Sequence, residues 1–164
     1  MAIGLRHATR ALELAPDNGS CHKWYAILLG GKPGTTGEKI GNSFIVKEHF
    51  DKAAELLPKD ATSRHLVGLW CYEVAKLSWF ERKAAAALFA APPEATYEEA
   101  YEHLAHAEKL EPAFYMNNRL LLCHCCVQLG KKDEARRWLS EVLGMEVKDA
   151  DDEKTMAAAK KLRI

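Results

Sequence analysis

The chain has 164 residues, 48% of them hydrophobic and 28% charged, enough for one domain or one compact repeat array with a buried core. Its 23 basic and 23 acidic side chains cancel, so no bulk charge marks it for nucleic acid or a membrane surface. No stretch approaches the roughly 18 to 20 apolar residues that span a bilayer. Five cysteines, three of them crowded at Cys123, Cys125 and Cys126, read as reduced thiols in a cytosol-facing protein rather than as a disulfide framework.

Apolar residues recur at spacings of three and four, as in Leu5, Ala8, Ala11, Leu12 and Ala15, and no alternating strand pattern appears. The pattern predicts an all-α chain with helices at about 4 to 15, 19 to 29, 43 to 57, 61 to 76, 79 to 90, 96 to 110, 114 to 129, 132 to 143 and 151 to 162. Three of them end alike, in Ala11-Leu-Glu-Leu14-Ala-Pro16, Ala53-Ala-Glu-Leu56-Leu-Pro58 and Ala107-Glu-Lys-Leu110-Glu-Pro112. The alanine allows close helix approach, the leucine is expected to fill the seam, and proline, lacking an amide proton, stops the helix. These landmarks fit a tetratricopeptide-like stack of antiparallel helix pairs. Gly4 to Ala15 reads as the second helix of a unit whose first would lie upstream, so the 1–164 domain is expected to be a fragment of a longer chain.

Pro16 to Pro58 is 42 residues and Pro58 to Pro112 is 54, against the template's roughly 34, so two units carry insertions. The first, Gly30 to Ser43, holds Gly30, Gly31, Gly34, Gly37 and Gly41 and is expected to be a flexible loop. Its Gly-Gly-Lys32-Pro33 run is not a phosphate cradle, which needs Gly-Lys followed by Ser or Thr after a strand. The second, Leu77 to Pro93, has room for an extra helix and ends at Pro92-Pro93. Thr96 with Glu99 then forms a capping box that starts the next helix. The aromatic segment from Trp70 and Tyr72 to Trp79 and Phe80 reads mostly as core; exposure of Trp79 or Phe80 would mark a partner or lipid contact.

Cys123-His124-Cys125-Cys126 lies on one helix, where neighbours point about 100° apart, so at most Cys123 and Cys126 share a face and buried structural cysteines are the better reading. The basic cluster Lys131, Lys132, Arg136 and Arg137 is diluted by Asp133 and Glu134 and reads as a solvated face. The last helix caps the stack. No nucleophile elbow, paired-carboxylate motif or metal-binding motif points to an enzyme or a cofactor.

In such a stack the first helix of each unit lines the concave face. Template positions there select Lys23 and Ile27 in the second unit and His65, Leu69 and Tyr72 in the third. Arg119 and His124 follow in the fourth. Lys23 suits a clamp for a C-terminal carboxylate but Ile27 does not, so a mixed apolar and basic groove for an amphipathic segment or an anionic amphiphile is expected.

Several segments together, His22-Lys-Trp24-Tyr-Ala26, Phe44-Ile-Val-Lys47-Glu48-His49-Phe50, His65-Leu-Val-Gly68-Leu-Trp70-Cys71-Tyr72, Leu77-Ser-Trp79-Phe-Glu81 and Pro92-Pro93-Glu-Ala-Thr96-Tyr-Glu-Glu-Ala100, resemble the regulator of microtubule dynamics family. The resemblance covers about residues 19 to 143, insertions included. It implies a non-catalytic helical scaffold that associates with microtubules or spindle proteins in the cytoplasm. One branch of the family sits on the mitochondrial outer membrane, tethers the endoplasmic reticulum and binds phospholipid. A phospholipid-binding or tethering module on the cytosolic face of mitochondria is therefore the alternative. The chain resembles the soluble, shorter branch more closely.

Overall fold

The structure, a computed structural model, describes residues 2–89 and 93–164. Its helices are α1 (Ala2–Leu14), α2 (Gly19–Gly30), α3 (Thr36–Leu56), α4 (Ala61–Ala75), α5 (Trp79–Leu88), α6 (Tyr97–Leu110), α7 (Met116–Gln128), α8 (Lys132–Leu143) and α9 (Ala150–Ala159), and no strand occurs among the described residues.

Most starts are set by a side chain that serves the free amides of the first turn. Asn18 accepts from the amides of Ser20 and Cys21, Asp60 from that of Ser63, and Asp149 from those of Asp151 and Asp152. Full capping boxes open α3 (Thr35 with Glu38), α5 (Ser78 with Glu81) and α6 (Thr96 with Glu99).

Helices pair as α2 with α3, α4 with α6 and α7 with α8, and each pair stacks on the next through α3 against α4 and α6 against α7. The array is all-α and tetratricopeptide-like, with α9 closing its end against α7 and α8. Met156 and Ala159 of α9 bury themselves with Met116, Leu120 and Val142 in a small second core. Ala53 and Ala107 are fully buried, as the repeat landmarks require. Leu14 departs from its expected role of filling a seam and is 69% exposed. The cause is local: among the described residues α1 packs mainly on α2, which leaves that side uncovered.

The glycine-rich insertion also departs from expectation. Only the stretch from Gly31 to Thr35 is a connection, and Gly37 and Gly41 lie inside α3. The Thr35–Glu38 box starts this helix: Thr35 N–H donates to Glu38 Oε2 at 2.8 Å. Propagation from a made nucleus costs far less than making one, and each glycine subtracts only about 1 kcal/mol. The second insertion does form an extra helix, ending at Leu88 rather than near residue 90; Pro92, expected at its end, lies outside the described residues. Trp70, Cys71 and Tyr72 join the main core as expected, whereas Trp79 and Phe80 do not.

In the third unit, α4 and α6 approach closely at Gly68. A Cβ there would lie 2.7 Å from Leu104 Cγ and 3.1 Å from the Leu104 backbone nitrogen, and Leu104 is fully buried. Gly68→Ala must push α4 and α6 apart, at about 1 to 3 kcal/mol. Gly37→Ala meets only Leu88 Cδ1 at 3.7 Å, so it should gain about 0.5 to 1 kcal/mol from the lost freedom of glycine. Urea unfolding midpoints for the two variants should therefore move in opposite directions. A neutral Gly68→Ala, or a destabilising Gly37→Ala, would contradict these packings.

Candidate functional site

The first helices α2, α4 and α7 carry all of the groove residues expected from the sequence, and their side chains have diverse environments. His65 is 3% exposed, and its Nδ1 lies 2.9 Å from Asn118 Oδ1 while Asn118 Nδ2 donates to the Leu104 carbonyl at 3.1 Å. Because Asn118 Oδ1 can only accept, His65 carries its proton on Nδ1. This relay ties α4 to α6 and α7. The His65 ring stands nearly perpendicular to those of Phe114 and Tyr115, with ring centres 6.2 and 5.0 Å away. With Leu69, these residues line an open cup of about 380 Å³ on the first-helix face. Tyr115 is in turn held by Asp151, to which its hydroxyl donates at 2.5 Å.

Tyr72 sits one turn further along α4, stacked edge-on against Tyr97 at 5.9 Å and beside His124 at 6.1 Å. Burial pushes its phenol up to about 12. Ile27 is half-buried against the main core.

The two basic residues are engaged by carboxylates of the fold. Lys23 Nζ lies 2.8 Å from Asp60 Oδ2, the same oxygen that caps α4 at Ser63, so the pair bolts α2 to the start of the next unit. Burial opposes ionisation of Asp60, but the hydrogen bonds from Lys23 and Ser63 outweigh it and hold its carboxyl below the ordinary range. Arg119 turns towards the second helices: its Nε and Nη2 lie 2.8 and 2.6 Å from Glu108 Oε1, and Nη2 is 3.6 Å from Glu141. The same Glu108 oxygen accepts from the amide of Ala113, whose φ of +60° closes the α6–α7 turn. A ligand using Lys23 or Arg119 would have to compete with these carboxylates.

Cys71, Cys123, Cys125 and Cys126 are all buried, which pushes their thiols up to about 11 or 12, so they stay protonated and unreactive. On α8, Arg136 and Arg137 pair with Asp133 and Glu134 one turn away, as on a solvated face.

A second concavity lies outside the template positions. The N-terminal half of α3, the end of α4 and α5 enclose a largely apolar cleft of about 440 Å³, with Ile40, Trp70, Val74, Leu77, Ala85 and Pro93 among its walls. It is a product of the two insertions. Arg82 fixes α5 there, donating to the carbonyls of Ala75 at 2.8 Å and Leu77 at 3.1 Å at the C-terminal end of α4. Trp79, Phe80 and Leu88 face solvent at 60%, 77% and 57% exposure, with Lys83 Nζ 4.2 Å from the Trp79 ring centre.

The family model for Regulator of microtubule dynamics protein 1-3 matches residues 1–163. The chain belongs to the regulator of microtubule dynamics family. It is 44% identical over 160 residues to Regulator of microtubule dynamics protein 1 of Bos taurus, covering 96% of this chain and 50% of the relative. It is 42% identical to the Homo sapiens protein of that name, covering 51% of it, and 40% identical to Regulator of microtubule dynamics protein 3 of Mus musculus, covering 92% of this chain and 32% of that one. The chain thus spans about half the length of the type 1 regulators it matches, and less of the type 3. Among solved structures, a thermophilic TPR protein of Thermus thermophilus superposes with a TM-score of 0.63 at 17% identity, covering 96% of this chain and 72% of that one, a likeness of fold alone.

Sequence positions found the cup's His65 and Leu69. They missed Phe114 and Tyr115, which precede α7 and fall outside the repeat positions.

Two outcomes follow. Removing Arg119 leaves Glu108, only 8% exposed, without its counter-charge, so Arg119→Ala should cost about 3 kcal/mol or more in urea unfolding. Replacing both partners by apolar residues (Glu108→Leu with Arg119→Met) should recover most of that; an unchanged midpoint for Arg119→Ala would show the pair to be idle. Burial, first among the causes, lowers the pKa of His49, His65, His103 and His124 below the ordinary 6.5. The unfolded chain therefore takes up protons first, and stability, complete above pH 6.5, falls as pH drops through the folded values, by at most about 1.4 kcal/mol per pH unit for each histidine. Urea midpoints at pH 7.5 and 5 should show the loss and His65→Gln should reduce it. A flat profile would contradict the buried neutral state.

Proposed function

We propose that this domain is a non-catalytic adaptor that associates with microtubules or spindle proteins in the cytoplasm, using the face built by α2, α4 and α7. The observation that carries this reading is the family match over residues 1–163, with type 1 relatives at 42 to 44% identity over nearly the whole chain. The His65, Leu69, Phe114 and Tyr115 cup supports it, because an open aromatic concavity with a polar rim takes an apolar anchor from a partner segment. Lys23, Ile27, Tyr72 and Arg119 flank or brace that face. Microtubule surfaces are acidic, so exposed cations such as Lys131 and Lys132 would add attraction that salt screens.

A second reading, contact with anionic phospholipid, is favoured by one observation: exposed Trp79 and Phe80 beside Lys83 on α5, a combination suited to a lipid headgroup layer.

Co-sedimentation separates the two. On the first reading the protein pellets with taxol-stabilised microtubules at about 50 mM salt and is released by about 300 mM, and Tyr115→Ala with Leu69→Ala weakens pelleting at least tenfold. No pelleting, or pelleting that ignores salt and both substitutions, would overturn it. Retention on phosphatidylserine vesicles, lost in Trp79→Ser with Phe80→Ser, would instead support the second.

A further inference from the structure

The first-helix cup offers a ligand more than apolar contact. His65, 3% exposed, donates from Nδ1 to Asn118 Oδ1 at 2.9 Å, because the Asn118 amide nitrogen is turned to the Leu104 carbonyl. A neutral imidazole has one N–H, so Nε2 is left as a bare acceptor. Burial favours this neutral form by lowering the pKa of His65. Nε2 makes no hydrogen bond among the described residues, yet it is not sealed from solvent as the unpartnered Arg64 Nε is. For a ring otherwise buried, the opening is the cup, whose wall His65 builds with Phe114 and Tyr115.

The field over the cup is negative. No side chain of its wall is charged, and Thr62 and Asn117 add neutral polar atoms to it. Directly behind the wall, Asp151 accepts from the Tyr115 hydroxyl at 2.5 Å. Burial is the first cause that raises the Tyr115 phenol, and the charges that add to it are those of Asp151 and Asp149; Asp151 is also the charge that acts on His65. Residues 146–154 hold five carboxylates (Glu146, Asp149, Asp151, Asp152, Glu153) against two lysines (Lys148, Lys154), and none of these seven makes an ion pair among the described residues. The cations of the first-helix face itself are tied elsewhere, Lys23 to Asp60 and Arg119 to Glu108.

From this we infer that the cup binds a basic side chain, a lysine or arginine carried by a partner segment, whose N–H donates to His65 Nε2 while its cation lies against the Phe114 and Tyr115 rings and its stem along Leu69. The acceptor and the field together select this ligand. A carboxylate would meet the lone pair of Nε2 and the charge of Asp151. A wholly apolar tip would strip Nε2 of water and return no hydrogen bond. The volume of about 380 Å³ lies towards the lower part of the roughly 300 to 1,000 Å³ range of ligand pockets, which suits one long side chain. The inference sharpens the anchor proposed above, apolar along its stem and cationic at its tip. It rests on the use of this face by a partner segment, and not on that partner being a microtubule.

The test uses the whole chain and a library of fluorescein-labelled dodecapeptides with varied flanks around a central Arg, Lys, norleucine or Glu, read by polarisation. Arg- and Lys-centred peptides should dominate the binders. Changing the centre of the best one to norleucine, which keeps the stem of lysine without its charge, should weaken binding at least tenfold. The same peptide should bind at least tenfold more weakly to Tyr115→Ala, and at least threefold more weakly to Asp151→Asn, which keeps an acceptor for the Tyr115 hydroxyl and removes the charge. Circular dichroism checks that both variants keep their helices, and Glu13→Gln, a carboxylate lost from α1, should bind as the unaltered protein does. Three results would overturn the inference: no saturable binding of any Arg- or Lys-centred peptide, norleucine or Glu centres that bind as tightly, or binding indifferent to both Tyr115→Ala and Asp151→Asn. Microtubule pelleting that persists beside any of these would leave the proposed function standing while this inference falls; basic peptides held in the cup without pelleting would do the reverse.

Discussion

The structure depends on the contact between Gly68 and Leu104. Two helices of one repeat must meet although 21 residues separate the end of α4 from the start of α6, and the excursion contains a helix of its own. Absence of a side chain at Gly68 lets the backbone of α6 approach until a Cβ could not be accommodated. Closure of so long a loop costs only slightly more than closure of a short one, since the entropic cost grows with the logarithm of length. The pair therefore closes as it would in a regular repeat, and the excursion is displaced sideways.

That displacement creates the cleft. Turned out of the stack, α5 cannot bury both its faces: Ala85 packs inward, Arg82 fastens to the carbonyls of α4, and Trp79, Phe80 and Leu88 remain outside. The other insertion lengthens α3 past the repeat, so that its first turns stand opposite α5. Two departures from the repeat thus meet on one side of the array. On the first-helix face, basic residues at binding positions serve as cross-links instead: Lys23 joins consecutive units through the Asp60 cap, and Arg119 holds Glu108 and the tight turn at Ala113. Charge that looks available for a ligand is consumed by the fold.

Much of the fold was legible in the sequence because it rests on local signals. Buried alanine, following proline and the Thr96–Glu99 box each act within a few residues, so the pairing order and the capping helix could be read directly. The glycine insertion shows how one local signal can mask another. Thr35 and Glu38 have the same spacing as Thr96 and Glu99, yet the surrounding glycines suggested a loop; in the structure the cap starts the helix and glycine merely weakens it. The site was less legible. Asp60 is 37 residues from Lys23, and a periodic pattern carries no record of which distant carboxylate will neutralise a given lysine. Phe114 and Tyr115 belong to a connection, outside any helical register, and the outward turn of α5 follows from packing among three elements.

The central claim is that a locked helix pair carries the insertion helix as an appendage rather than depending on it. Native-state hydrogen exchange tests this most directly. The account predicts that amides of 61–75 and 97–110 exchange together through the rarest, global opening, while those of 79–88 exchange through a separate and easier opening that leaves the pair protected. Equal protection of all three segments, or loss of protection in α4 and α6 whenever α5 opens, would contradict it.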